Sequence, residues 1–268
     1  MSRRLVVEPT GFGVRGAVLD GDRLVEVLEA DAGGEQVTAA LFVGFVRAVD
    51  TKLNAAFLDI GLGAQAFLTA KDARFVTGDM ERRPINRMVR EGERLIVQGV
   101  REGEAGKGSR VTTDLKLFGF HLLWRPYGRP MELVGPIRGR ERHQLQERGE
   151  ALFPERGVTL RKLAGGVDDA TLVAELARLE ARWQKLQADA KAARRAGPLP
   201  GDDHPVERLL RAVVTPELRV IEAADEDLLT RLRGLLEGPL APHGVELRRL
   251  KPERSAFEQT EVQAELER

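Results

Sequence analysis

Between Leu41 and Leu117 the chain carries a close succession of β-rich runs, each closed by a turn: Leu41–Val49, Ala55–Ile60, Ala64–Leu68, Arg94–Val100 and Arg110–Leu117. Short strands packed this densely and parted by glycine-containing turns suit a small closed barrel such as the OB-fold, in which closure removes the exposed sheet edges. Strand side chains alternate between faces. In Ala55–Ile60 one face carries Ala56, Leu58 and Ile60, and the other carries Phe57 beside Asp59. In Ala64–Thr69 the apolar face is Ala64, Ala66 and Leu68, and Phe67 shares the polar face with Gln65 and Thr69. Both phenylalanines therefore fall on the side away from a barrel core.

Aromatic rings on the outer face of such a barrel are platforms on which unpaired bases stack, at about 1–3 kcal/mol per base. The alternative is that both rings pack beneath the Lys71–Met88 loop or against another domain. Basic residues lie near this face. Arg47 is in the first barrel strand, and Gly106-Lys107-Gly108-Ser109-Arg110 leads into the last. Glycines there let backbone approach a phosphate, and Lys107 and Arg110 supply charge. The turn is not a nucleotide-binding P-loop, because Gly108 stands where a Ser or Thr should follow the lysine.

Outside the barrel the pattern changes. Strands are expected at Arg4–Val7, Val14–Asp20 and Leu24–Leu28, with a turn at Asp20-Gly21-Asp22. Lys71–Met88 reads as an Arg-rich loop with a helical turn ending near Pro84. Pro126, Pro130 and Pro136 punctuate a basic segment. The clearest helix is Asp169–Arg195, where Leu172, Leu176, Leu179, Trp183, Leu186 and Ala190 form one stripe at steps of three and four. That stripe is expected to be core, with docking of a partner helix as the other reading. Asp168 or Asp169 caps its start, and Gly197-Pro198 stops it. Gly197–Asp203 is the expected domain boundary. Beyond it come helix Pro205–Val213, strand Leu218–Ile221, helix Asp225–Leu236 and strand Val245–Leu250, an α/β layer. Ser255–Arg268 reads as a weak helix.

Composition excludes several classes. The 268 residues include 42 Lys and Arg against 42 Asp and Glu, so any binding of phosphate must rest on local concentrations of positive charge. There is no cysteine, which rules out disulfides and Cys-ligated zinc. No run approaches the roughly 18–20 apolar residues of a membrane span, and the first residues are too short and polar for a signal peptide, so a cytoplasmic location is expected. His121, His143, His204 and His243 are scattered without metal-ligand spacing. Asp168-Asp169, Asp202-Asp203 and Asp225-Glu226-Asp227 each stand at an expected helix start, where capping explains them. No catalytic or metal-binding set is expected.

Three stretches resemble the ribonuclease E/G family. Gly44-Phe45-Val46, Asn54–Gly61 and Ala66-Phe67-Leu68 are similar to its S1-type domain. Gly106–Asp114 is similar to the end of that barrel, a pattern more particular to the family. The resemblance runs along the chain and weakens after Pro126. It implies an α+β architecture in which an S1-type OB-fold barrel (36–118) is inserted into a split RNase-H-like α/β subdomain (1–35 and 203–268). A small 5′-sensor-like subdomain with the long helix occupies 119–202.

The resemblance also assigns residues. Phe57, Phe67 and Lys107 would contact single-stranded RNA. Arg161, Gly119 and Leu123 match positions around a 5′-monophosphate. There the sequence departs from the family: Lys162 replaces an expected threonine, and Pro136 breaks an arginine pattern for which Arg138 or Arg140 would have to substitute. Lys offers charge without the fork geometry of Arg. Cleavage in the family depends on a carboxylate pair holding Mg2+, in a subdomain that would follow the stretch matching Phe257–Glu267. The chain given ends at Arg268, and the family's zinc-linking cysteines are missing too. The leading expectation is therefore an RNA-binding protein or region that does not cut RNA alone. The second is an endoribonuclease, functional in RNA processing, whose catalytic subdomain lies elsewhere and which would form homo-oligomers only as a longer chain. The third is a protein-interaction scaffold using the Trp183 helix.

Overall fold

The β-rich runs between Leu41 and Leu117 do close on themselves. The structure is a computed structural model that describes residues 3–31, 38–76, 83–103, 108–128, 137, 139–199, 204–260 and 262–266. Its first strands are β1 (Arg3–Pro9), β2 (Gly13–Asp20) and β3 (Arg23–Asp31). Next come β4 (Leu41–Asp50), β5 (Ala55–Asp59), β6 (Ala66–Thr69), the single-turn helix α1 (Ala70–Ala73), β7 (Arg94–Arg101) and β8 (Arg110–Thr112). They are followed by β9 (Leu117–Phe118), β10 (Leu122–Trp124), α2 (Gly139–Leu152), β11 (Val158–Leu160), α3 (Asp169–Ala192) and β12 (Gly197–Pro198). Last are α4 (Pro205–Val213), β13 (Leu218–Ala223), α5 (Glu226–Glu237), β14 (Glu246–Arg249), α6 (Ala256–Gln259) and α7 (Val262–Leu266).

The chain divides into two compact units, which it visits in turn. One comprises Met1–Gly33, Arg161–Glu175 and Asp202–Arg268, and the other Gly34–Leu160 and Leu176–Gly201.

The second unit is built on the barrel. β4 pairs antiparallel with β5, β5 with β6, β6 lies parallel to β8, β8 runs antiparallel to β7, and β7 returns to β4. This order is that of an OB-like barrel. Its interior holds Phe42, Val46, Ala56, Leu58, Ile60, Ala66, Leu68, Val97 and Val111; five of these, Ala56, Leu58, Ile60, Ala66 and Leu68, are on the apolar faces read from the alternation, whereas Ala64, expected with them, is exposed. Two barrel boundaries differ from expectation by more than one residue. β6 begins at Ala66 rather than Ala64. The run Arg110–Leu117 breaks after Thr112, because the Thr112 hydroxyl accepts from the Asp114 amide and the Thr113 amide turns to the Asp72 carbonyl. Leu117 then opens a separate sheet of order β11-β10-β9.

The loop between β6 and β7 starts with α1, capped by Thr69, continues in a 3-10 turn at Arg74–Val76, and has a further 3-10 turn at Ile85–Arg87 after Pro84. Gly197 and Pro198 do not only stop α3. They pair with Val43 and Phe42 of β4, so the first residues of the expected linker belong to the barrel. All six apolar residues of the α3 stripe are buried, Trp183 at 6 % exposure, and so the stripe is core rather than a docking face.

The first unit is a five-stranded sheet of order β14-β13-β1-β2-β3, with β1 parallel to β13, β13 parallel to β14, and β1, β2 and β3 antiparallel. β1 is central, and Leu5, Val6 and Val7 are all fully buried, as expected for a strand covered on both faces. Leu209 of α4 lies over Gly16, where a Cβ would come within 2.9 Å of its methyl group. Phe257 and Val262 pack with Val6, Ala17 and Leu19. Glu8, at the end of β1, is buried beneath them. It accepts from Ser255 Oγ (2.5 Å), the Phe257 amide (3.0 Å) and Arg15 Nε (2.7 Å). Burial alone would raise its pKa, but these donors outweigh that and hold it below the usual carboxylate range.

Among the described residues, no helix is long and apolar enough to cross a membrane.

Candidate nucleic-acid interface

Phe57 of β5 and Phe67 of β6 are partners in register across the antiparallel pair. Their strand neighbours Ala56, Leu58, Ala66 and Leu68 fill the barrel, so pleating turns both rings outward, where each is half-buried. The ring centroids are 5.6 Å apart and the planes are tilted by 58°. Two bases stacked on them would therefore lie at an angle to each other rather than in one column. Register extends the row in both directions. Ala48 of β4 pairs with Phe57, Phe67 pairs with Arg110 of β8, and Arg110 pairs with Arg101 of β7. The row runs transversely over the outer wall, from a small residue through two aromatics to two arginines.

The charges beside the rings are largely spent. Arg47 Nη2 donates to Asp59 Oδ2 at 2.7 Å. The Asp59 pKa lies below its ordinary value because of that bond and a further one from the Gly61 amide. Arg110 grips Asp72 with Nε at 3.0 Å and Nη2 at 2.9 Å from Oδ2. Asp72 carried no signal in the sequence, yet it organises this end of the barrel. Its other contacts are the Thr69 hydroxyl (2.6 Å) on its carboxylate and the Thr113 hydroxyl (2.8 Å) on its carbonyl. The hydroxyl-capped helix start at Thr69 was the readable feature, whereas the partner at Arg110, 38 residues away, was not.

Lys107 lies outside the described residues. Its neighbour Gly108 has a structural reason to be glycine: a Cβ there would overlap the Gln65 carbonyl oxygen. Close backbone approach at this turn serves the barrel itself. Ser109 reinforces it, its carbonyl accepting from the Phe67 amide at 2.8 Å.

Among the described residues, no three His, Asp or Glu side chains are grouped to hold a metal ion.

Comparison with known proteins identifies the family. The model of the ribonuclease E/G family matches residues 119–268, more than half of the chain. The chain belongs to the ribonuclease E/G family. The match covers the part after Pro126, where the motif resemblance is weaker. Ribonuclease G of Escherichia coli K12 is 30% identical over 228 residues, 81% of this chain and 47% of that protein. Ribonuclease E of Nostoc sp. PCC 7120 is 25% identical over 235 residues, 85% of this chain and 34% of that protein. Ribonuclease E of Haemophilus influenzae is 33% identical over 173 residues, 62% of this chain and 18% of that protein. The chain thus spans about half the length of the ribonuclease G relative and less of the ribonuclease E ones.

The residues that family resemblance ties to a 5′ phosphate are divided. Gly119 and Leu123 belong to the barrel-containing unit, and Arg161 and Lys162 to the other. Arg138 lies outside the described residues. The Gly119 amide is used in its own hairpin, donating to the Leu122 carbonyl, and Leu123 pairs with Phe118 and Thr159. Arg161 Nη2 donates to the Arg211 carbonyl at 2.6 Å, in the last turn of α4. Burial lowers its pKa, an effect that nearby buried Glu175 opposes and Arg211 reinforces. Lys162 Nζ meets Glu217 Oε1 at 2.8 Å, and chiefly this bond brings the Glu217 pKa down to about 2. Both cations are thus engaged within their own unit.

Proposed function

We propose that this chain binds single-stranded RNA on the outer wall of its barrel, as the substrate-recognition part of a ribonuclease E/G-type protein. In this reading the barrel is S1-type, and the five-stranded sheet with β1 at its centre is the split RNase-H-like subdomain. The reading rests on one observation. Phe57 and Phe67 stand side by side outside a closed barrel whose core needs neither of them. Two half-exposed aromatic rings at the centre of a β row suit bases of any identity, because every base has a π face. The relatives' names, ribonuclease G and ribonuclease E, support RNA as the ligand. The expected place is the cytoplasm.

Phe57→Ala and Phe67→Ala are each expected to weaken binding of an unstructured oligonucleotide by about 1–3 kcal/mol, measured by fluorescence anisotropy. Both rings lie outside the core, so thermal melting of the variants should change little. If neither variant alters the affinity, the stacking claim is lost.

The relatives' names, ribonuclease G and ribonuclease E, also support a second reading, in which this chain is the recognition part of an endoribonuclease. Cleavage is expected to need a carboxylate pair holding Mg2+, which this reading does not assign to the chain. Incubation of labelled RNA with the chain and Mg2+ should leave it intact, and specific cleavage would overturn the binding-only reading. Arg161 and Lys162 are read here as structural, since a terminal phosphate would have to compete with the Arg211 carbonyl and Glu217.

A further inference from the structure

The loop that joins β6 to β7 forms an open groove of about 890 Å³, lined by Arg83, Asn86, Arg87, Arg90, Glu91 and Glu93 together with Met88 and Val89. We propose that this groove is a second RNA contact, which holds the phosphate backbone of a strand whose bases stack on Phe57 and Phe67. The proposal rests on the function proposed above and extends it to a part of the barrel that neither the motifs nor the comparisons single out.

Three observations carry it. First, the groove's two acids do not pair with the side chains of Arg87 or Arg90. The two acids are turned to backbone: Glu91 Oε1 accepts from the Val49 amide (3.3 Å) and Glu93 Oε2 from the Arg90 amide (2.9 Å). The Arg87 and Arg90 side chains are exposed, and neither has an ion-pair or hydrogen-bond partner among the described residues. A guanidinium left unpaired in an open groove presents its fork to solvent anions, and phosphate fits that fork.

Second, the segment is held firmly on the barrel. Ile85 is fully buried, and its amide donates to Asn54 Oδ1 at 2.9 Å. Met88 and Val89 are buried in the barrel core, so the arginines on either side of them, Arg87 and Arg90, are fixed at their bases. The Gly92 amide donates to the Val46 carbonyl, and the Glu93 carbonyl accepts from the Val46 amide.

Third, position favours a shared ligand. Those bonds set Glu91–Glu93 along the edge of β4 opposite β5, and Ala48 of β4 pairs with Phe57. Two strand spacings, about 10 Å, therefore separate the edge of the groove from the aromatic pair. A strand covering one OB-type barrel occupies about 4–16 nucleotides, more than two stacked bases account for. Because Arg47 and Arg110 beside the rings are tied to Asp59 and Asp72, a longer strand draws on neutralising charge beyond those two.

The test uses the full chain and two labelled oligouridylates, one of about 4 and one of about 16 nucleotides. Affinity is measured over a salt series. For single strands each phosphate contact contributes about 0.7 to the slope of log affinity against log salt. The variant Arg87→Gln/Arg90→Gln should lower that slope by about 1.4 for the long oligonucleotide and leave the short one unchanged. Arg87→Lys/Arg90→Lys should restore most of the slope, and melting curves confirm that the exposed substitutions leave the fold intact. An unchanged slope for the long oligonucleotide overturns the proposal. So does an equal loss on both lengths, or displacement of the long oligonucleotide by polyglutamate as readily as by unlabelled RNA, which would point to an acidic protein partner. Phe57→Ala separates the two claims. If it leaves short-oligonucleotide binding intact, base stacking fails while the arginine result stands by itself.

Discussion

At the scale of single residues, the barrel shows how glycine and aspartate decide geometry that apolar patterning leaves open. The alternation in Ala55–Ile60 and Ala64–Thr69 was enough to turn Phe57 and Phe67 outward, because a period of two leaves a side chain only two faces. It said nothing about Asp72, whose bonds to Arg110 and Thr113 depend on two segments meeting in space. Nor did it give the reason for Gly108, which a phosphate-binding turn and a tight barrel corner explain equally well in sequence. The structure separates them. A methyl group on Gly108 would overlap the Gln65 carbonyl oxygen, a backbone atom that cannot swing aside. Gly108→Ala should thus destabilise the protein by about 1–3 kcal/mol through overpacking, read as a lowered urea midpoint. A variant as stable as the parent would show that the turn has room, and would return Gly108 to the role of a phosphate-binding glycine.

Helices and strands were legible where their periodicity is long. α3, α4, α5 and the strands of both units carry stripes or alternation over several repeats. α2 was not anticipated. Of its fourteen residues only Leu145 and Gly149 are buried, so no stripe marks it, and the proline-punctuated basic segment before it reads as irregular. β9, β10 and β11 run for two or three residues each, too short for any period to register. The caps were read partly correctly. Asp168 accepts from the Thr171 amide and Asp225 from the Leu228 amide, as helix-start acids should. At α4 the cap is instead His204, whose Nδ1 accepts from the Val206 amide at 3.2 Å, while Asp202 and Asp203 lie outside the described residues. An imidazole caps only while Nδ1 is unprotonated. Burial lowers the His204 pKa, and Arg231 and Arg208 add to the effect. The unfolded chain therefore takes up the proton first, near its ordinary pKa of about 6.5. Stability is lost as pH falls from there through the lower folded value. His204→Asn keeps a capping side chain but removes the titration. The difference in urea midpoint between parent and variant should change between about pH 7.5 and pH 5. A difference that stays flat over that range would mean the cap is not sensitive to protonation.

On the scale of the whole molecule, neither compact unit is a continuous stretch of chain, and this has consequences for what can be removed. The strands β1, β2 and β3 come from the first 31 residues, yet the sheet they start is completed by β13 and β14, near the other end of the sequence. β1 obtains its parallel partner from β13, and Glu8 obtains two of its donors from Ser255 and Phe257. Deleting residues 202–268 would uncover both faces of a strand whose Leu5, Val6 and Val7 are shut away from water, and would leave a buried carboxylate with Arg15 alone. Burial of that kind is worth roughly 1.5–3 kcal/mol per large apolar side chain, more than a three-stranded meander can lose and remain folded. The barrel, by contrast, closes through bonds among β4, β5, β6, β7 and β8 and encloses its own core. In the shortened chain, hydrogen exchange at β1, β2 and β3 should approach that of an unfolded polypeptide, while β4–β8 amides stay protected. Since the contacts of Arg161–Glu175 also belong to the first unit, protection in α3 should be lost up to Glu175 and resume from Leu176. Protected β1–β3 amides, or a barrel that melts with them, would show that the two units do not fold as the pattern of contacts divides them.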